Sequence, residues 1–290
     1  MASRPTDLLP RCRFPPPSTP VTCAVSGGAD SLALLVLASA AGCRTTAVHV
    51  DHGLRPGSSA EAGLVADVAS RFGASFHAKS VEVKAGPNLE ARARAARYAA
   101  LPPDVLTGHT ADDQAETMLL NLLRGAGLDG LAGMRRDRRP LLDLRHAETV
   151  ALCRELGLTP VDDPSNASLT LRRNRVRHEL LPLLNDIAER DVVPILARQA
   201  DLLRAEADLA DATAAELDPT DARAVADAPA AAARRSLRRW LTQEHPPDAA
   251  TVERVLAVAR GEAVGCEVGG GRRVDRHGQR LTLTDTAAPR

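Results

Sequence analysis

At 290 residues the chain is long enough for two domains, and its 44% hydrophobic content supports a sizeable core. No stretch approaches the roughly 18 uninterrupted apolar residues of a spanning helix. Residues 1–20 carry prolines and arginines with no apolar signal segment, so no membrane association is expected and the location is read as cytoplasmic. With 37 basic and 37 acidic residues the formal charge is zero, so nucleic-acid affinity must come from local clusters rather than the whole-protein field.

Five cysteines with no C-x-x-C pair argue against zinc and against a disulfide framework, and they read as reduced and mostly structural. Lys79 and Lys84 are the only lysines, so every arginine cluster is weighed against a compositional bias.

In chain order, an apolar strand at 21–25 runs into the turn Ser26-Gly27-Gly28-Ala29-Asp30-Ser31 and then a helix beginning near Leu32. First-turn helix amides have no intrahelical partner, so a glycine turn at this junction can cradle phosphate. The turn lacks the lysine of a P-loop and the G-x-G-x-x-G of dinucleotide sites. Ser26 and Ser31 add hydroxyl donors, and Asp30 can hold magnesium or its water shell.

Strand and helix patterns then alternate: 45–50 with 58–71, 75–83 with 88–100, and 105–108 with 111–124. Such alternation predicts an α/β fold, a parallel sheet with helices on both faces, whose ligands bind at the carboxyl ends of the strands near a topological switch point. A helical run is expected from about 180 to 216, then helices at 230–241 and 249–260. Short strands at 266–268 and 280–284 follow, parted by turns at 269–271 and 275–278. The expected division is an N-terminal extension at 1–20, a nucleotide-binding catalytic domain at 21–185, and a second, smaller, mainly helical α+β domain at 186–290.

Several polar groups fall at the predicted strand ends. His49 and His52 lie in a short loop that reads either as ligand-contacting or as a plain turn, and without a third ligand zinc is less economical than magnesium held through phosphate. Glu90, Arg94 and Arg97 share one helix face, either as a solvated stripe or as a binding edge. Gly108 and His109 precede a helix whose first turns carry Asp112, Asp113 and Glu116, carboxylates suited to an amine, a metal or the helix dipole. Arg172, Arg173, Asn174, Arg177 and His178 make a cluster suited to polyanions; arginines at 135–139 and 234–239 form two more.

The ordered set resembles the tRNA(Ile)-lysidine synthases of the PP-loop ATP pyrophosphatase superfamily. It comprises the 26–31 loop, His49-Val50-Asp51-His52-Gly53-Leu54-Arg55, the 88–98 helix start, 107–117, Arg139-Pro140-Leu141-Leu142, and Asp162-Asp163-Pro164-Ser165-Asn166 with 173–178. The likeness spans about residues 20 to 185 and is loose beyond. It implies an ATP-dependent ligase, with magnesium, that joins free L-lysine to the wobble cytidine of an isoleucine tRNA bearing a CAU anticodon. An adenylated cytidine would form first.

On that resemblance residues 26–31, His49, His52, Gly108 and His109 meet ATP. Asp112, Asp113, Glu116, Arg94 and Arg97 serve lysine and catalysis, and Arg139, Arg172, Arg173, Asn174, Arg177 and His178 meet tRNA. Relative to longer members of that family a further terminal domain is expected to be missing, and the oligomeric state is left open, a homodimer included. A thiolating relative would need a cysteine pair that the sequence lacks; an amidating synthetase for a small metabolite and a non-catalytic RNA-binding protein are the other readings.

Overall fold

The computed structural model describes residues 4–51, 58–81, 89–161 and 171–285. The chain separates into two compact units, Met1–Leu203 and Arg204–Arg290.

Unit 1 is built around three parallel strands, β1 (Pro20–Ala24), β2 (Arg44–Asp51) and β3 (Ser75–Ser80), adjacent in the order β1-β2-β3. Its helices are α1 (Pro5–Leu8), α2 (Ala29–Ala40), α3 (Ser58–Arg71), α4 (Leu89–Ala100), α5 (Ala111–Leu123), α6 (Leu128–Leu131) and α7 (His146–Glu155). After these come α8 (Arg172–Arg175), a π turn (Val176–Leu180), α9 (Leu181–Ala188) and the first half of α10 (Val193–Ala215). A helix apolar all round must be covered on every side. Helix α2 is one: every residue from Ser31 to Ala38 is buried, and it packs against both the sheet and α7.

Side-chain alternation divides the sheet into two covered faces. Cys23, Val25 and Ala47 join the large core of α2 and α3, while Ala24, Val48 and Val50 meet Leu101 and Val105 on the other side. Leu8 is buried in the large core with Leu9, Cys12 and Phe14 packed against it, so the N-terminal segment lies on this unit.

The expected strand at 105–108 is reduced to a single bridge. Leu106 exchanges backbone bonds with Thr22 (2.8 Å) and Ala24 (2.9 Å) at the open edge of β1, after which Thr107 donates to Arg138 O (2.9 Å) and leaves the sheet. Two prolines, Pro102 and Pro103, also deprive the approach of donors. This bridge nevertheless settles the topology. The chain moves outward from β1 to β3 and then returns to the opposite side of β1, so the order reverses between β1 and Leu106, and the loops that follow both meet at that crevice.

The single helical run expected from 180 to 216 is interrupted. Glu189 takes a left-handed conformation (φ 51°) that ends α9, and α10 restarts at Val193 with Pro194 in its first turn.

Unit 2 holds the rest of α10, α11 (Ala222–Asp227), α12 (Ala230–Leu241), α13 (Ala249–Arg260) and an antiparallel sheet β4 (Gly265–Gly269), β5 (Arg272–His277) and β6 (Arg280–Asp285). The central strand β5 corrects the reading of 275–278 as a turn. It was hidden because Val274 is its only apolar residue; the half-buried Arg272 and Arg276 instead donate to Leu241 O (3.0 Å) and Ala259 O (2.6 Å).

Candidate active site

The loop after β1 is organised by one hydroxyl. Ser31 Oγ accepts from the Ser26 N–H (3.1 Å) and donates to Gly28 O (2.9 Å), closing the loop over its own helix start. Gly27 sits at φ 89°, where a side chain is strained, and an added Cβ would lie 3.1 Å from Val161. Gly108 makes the second approach: a Cβ there would stand 2.5 Å from Asp30 O, so the loop after Leu106 lies directly against the first turn of α2. His49 is buried, and its Nδ1 bonds Val25 O (2.9 Å), which holds the strand end from which the loop departs.

Asp30 begins α2 but turns outward from it. Its carboxylate accepts from His146 Nδ1 (2.9 and 3.0 Å) and from Thr149 Oγ (2.5 Å), both on the first turns of α7. This hydrogen bond to Asp30 raises the His146 imidazole above its usual range, against the opposing effect of burial. The backbone N–H of His146 donates to Asp112 Oδ2 (2.7 Å), and Arg145 pairs with the same carboxylate (2.9 Å) and with Asp191. Burial would raise Asp112; the Arg145 and His146 hydrogen bonds outweigh it and hold the carboxyl below its ordinary value.

Asp113, the next residue, and Glu116, one turn on, are held by arginines rather than left to solvent. Arg173 donates to Glu116 Oε2 and Asp113 Oδ1, both at 2.6 Å, and Arg177 donates to Glu116 Oε1 at 2.5 Å. The Glu116 side chain has no exposure, and Asp113 also caps α5 by accepting from the Thr110 N–H (2.9 Å). Two carboxylates expected at the amine site are thus joined to two arginines expected at the RNA. The arginine stretch splits by helical phase: Arg173 and Arg177 turn inward, Asn174 is buried, and Arg172 and His178 are exposed.

A cavity of about 200 Å³ opens among these groups, lined by the charged or polar Asp112, Glu116, Arg145, His146 and Arg177 and by the apolar Leu181 and Val193. Other expected residues stand apart from it. His109 Nδ1 is bonded to Thr107 Oγ (2.9 Å), and Arg139 Nη1 donates to Arg135 O (2.9 Å). Arg97 lies half-buried on α4, where Arg94 is placed by its backbone. His52 and residues 162–166 fall outside the described residues. The groups missed in the sequence are Arg145, His146 and Thr149. Their signal was a helix start, a polar pair followed by Glu148, which accepts from the Arg145 N–H (2.8 Å).

Among the described residues no group of three or more His, Cys, Asp or Glu is arranged for a metal ion. Magnesium needs no such cage: one or two carboxylates suffice when substrate phosphates and water complete the shell. Asp30, beside the glycine loop, fits that requirement. All five cysteines are free thiols, and burial pushes Cys23 up to about 12 and Cys153 up to about 11, as inert core thiols behave.

The glycine loop at a parallel-sheet switch point defines a PP-loop protein, and the sequence profile of the PP-loop domain matches residues 10–184. The fold is shared with the solved U34-tRNA thiolase NcsA of Methanococcus maripaludis (TM-score 0.52, 17% identity, 65% of this chain and 73% of that one), a likeness of fold alone. The tRNA(Ile)-lysidine synthase of Nocardia farcinica is 44% identical over 273 residues, 87% of this chain and 86% of that protein. That of Rhodococcus erythropolis is 43% identical over 244 residues, 78% and 75% respectively. The chain belongs to the tRNA(Ile)-lysidine synthase family.

Proposed function

We propose that this protein is an ATP-dependent ligase that attaches free lysine to the wobble cytidine of an isoleucine tRNA with a CAU anticodon. The 2-oxo oxygen of the base attacks the α-phosphorus, and the bond to the bridging oxygen breaks to release pyrophosphate. An amine of lysine then adds at the activated ring carbon, AMP departs with the oxygen, and the amine loses a proton. The observation that carries the reading is the link His146 makes between the two parts: it lines the cavity beside Asp112 and bonds both Asp112 and Asp30, the aspartate of the glycine loop.

The roles follow from the chemistry of each group. Amides of 27–30 and the hydroxyl of Ser26 suit the pyrophosphate end of ATP, where fixed donors stabilise developing phosphoryl charge, and Ser31 shapes the loop by donating to Gly28 O. Asp30 would hold magnesium, which supplies charge neutralisation on the phosphates when bound. The cavity is small for a nucleotide and suits an amino acid: Leu181 and Val193 in its lining suit an alkyl stem, and Glu116 and Arg177 place charged groups beside it. Arg172 and His178, exposed on the helical run after residue 171, suit RNA phosphate. We assign catalysis to 21–185, with most tRNA contacts on 186–290, in a cytoplasmic enzyme. Among the described residues no helix is long and apolar enough to cross a membrane.

Incubation with ATP, labelled lysine and the CAU isoleucine tRNA is expected to yield labelled RNA, AMP and pyrophosphate in equal amounts. Equal labelling of a methionine tRNA with the same anticodon would remove the specificity. Pyrophosphate release that ignores RNA would favour a small-metabolite synthetase.

A further inference from the structure

We infer that His146 is a positioning residue that holds the nucleotide-side carboxylate, Asp30, and the acidic-helix carboxylate, Asp112, in one frame. The inference rests on the lysidine-forming reading. Asp30 and Asp112 lie on different helices, and a single residue touches both: the imidazole bonds the two Asp30 oxygens at 2.9 and 3.0 Å, and the main-chain N–H bonds Asp112 at 2.7 Å. His146 therefore links the two carboxylates directly, alongside Thr149 on Asp30 and Arg145 on Asp112.

That residue is itself held firmly. It is the first of α7, a helix buried against α2 through Leu152 and Cys153, whose thiol donates to Ala29 O (3.5 Å). Thr149, fully buried one turn on, gives Asp30 a second anchor at 2.5 Å. From the far side Arg11 grips Glu148 with both terminal nitrogens (2.6 and 3.0 Å) and donates to Asp143 O (2.5 Å), fixing the chain just before α7.

The arrangement also serves the glycine loop. An aspartate in the first turn of a helix ordinarily folds back on that helix's own amides. With Asp30 drawn to α7, α2 has no side-chain cap among the described residues; Ser31 and Leu32 donate to Gly28 O (3.1 and 3.0 Å), which leaves the Ala29 and Asp30 amides to an anionic ligand. Thr149 and His146 together hold Asp30 off those amides, and His146 extends the tie to the acidic helix.

The test compares His146→Ala, His146→Asn and His146→Gln by tRNA-dependent pyrophosphate release and by calorimetric ATP binding. Asparagine places an amide nitrogen where Nδ1 stood; glutamine moves it one methylene away. Misplacing one carboxylate lowers turnover steeply, so His146→Ala is expected to lose kcat on the order of 10²-fold. Its KM and Kd for ATP should stay within about threefold, because the loop amides are untouched. His146→Asn should recover most of the loss and His146→Gln should not.

Wild-type kcat in the alanine variant overturns the inference, as does equal impairment of all three variants. Independently of turnover, the imidazole resonance of His146 in 15N-histidine-labelled protein is expected to move when Asp30→Asn removes the charged acceptor; an unmoved resonance also overturns it. A wild-type protein that releases pyrophosphate only with a non-RNA acceptor sinks the lysidine reading and leaves the resonance test of His146 in force.

Discussion

Arg177 donates to Glu116 at 2.5 Å, and the carboxylate it meets has no solvent exposure. A buried charge of this kind is tolerated only while its partner remains. With Arg173 on the other oxygen, the pair welds the arginine stretch to the acidic helix. Arginines read from sequence as RNA contacts therefore have a structural duty as well. Arg173→Ala or Arg177→Ala is expected to cost about 2–4 kcal/mol of stability, below the upper end for buried pairs because both guanidiniums keep about a third of their exposure. Urea unfolding monitored by circular dichroism checks this, and a midpoint equal to wild type would show that the ion pairs are idle. Arg172→Ala, at an exposed position, should leave the midpoint alone and lower the salt dependence of tRNA binding.

Gly108 tests the contact between the two loops. An added methyl group must displace the Asp30 carbonyl, 2.5 Å away, or the Ser31 amide, 3.0 Å away, and both belong to backbone that cannot swing aside. Gly108→Ala is expected to destabilise by about 1–3 kcal/mol, the usual range for overpacking. It should also weaken ATP binding measured by calorimetry. Unchanged affinity would mean that the start of α2 does not contact the nucleotide.

Ser31→Ala removes the hydroxyl that joins Ser26 to Gly28. Loss of one partly buried hydrogen-bond pair is worth about 1 kcal/mol. Because the damage falls on the loop, KM for ATP should rise more than the melting temperature falls. A large drop in melting temperature with normal KM would place the role of Ser31 in folding alone.

Asp112 supplies a pH signature. Its folded-state pKa lies below the ordinary 3.8, so the folded state favours the ionised form and the carboxyl contributes stability above the unfolded value. That contribution is lost as pH falls through the depressed folded pKa. Denaturation midpoints measured from pH 6 to pH 2.5 should show a steeper acid limb for wild type than for Asp112→Asn. Parallel limbs would indicate that the Arg145 pairing leaves the titration unmoved.

Much of this fold was legible because its signals are local. Apolar strands broken by glycine turns marked β1 and β2, and the helices at 58–71, 230–241 and 249–260 follow from periodicity within one segment. Strand β5 was not legible, since Val274 is its only apolar residue, and the segment at 105–108 was over-read because one bridged residue resembles a strand in pattern. The glycine turn after β1 was legible in six consecutive residues.

The sequence by itself determined the apolar strands β1 and β2 and the glycine turn after the first, because backbone propensity and turn geometry depend on neighbours a few residues apart. Only the tertiary structure decided what the charged groups do. Asp30 meets His146 across 116 positions and Glu116 meets Arg177 across 61, and burial turns those encounters into obligatory pairs. The physical reason is that a charge's role depends on the partner and the dielectric that folding brings to it, and neither is encoded in the spacing of residues along the chain.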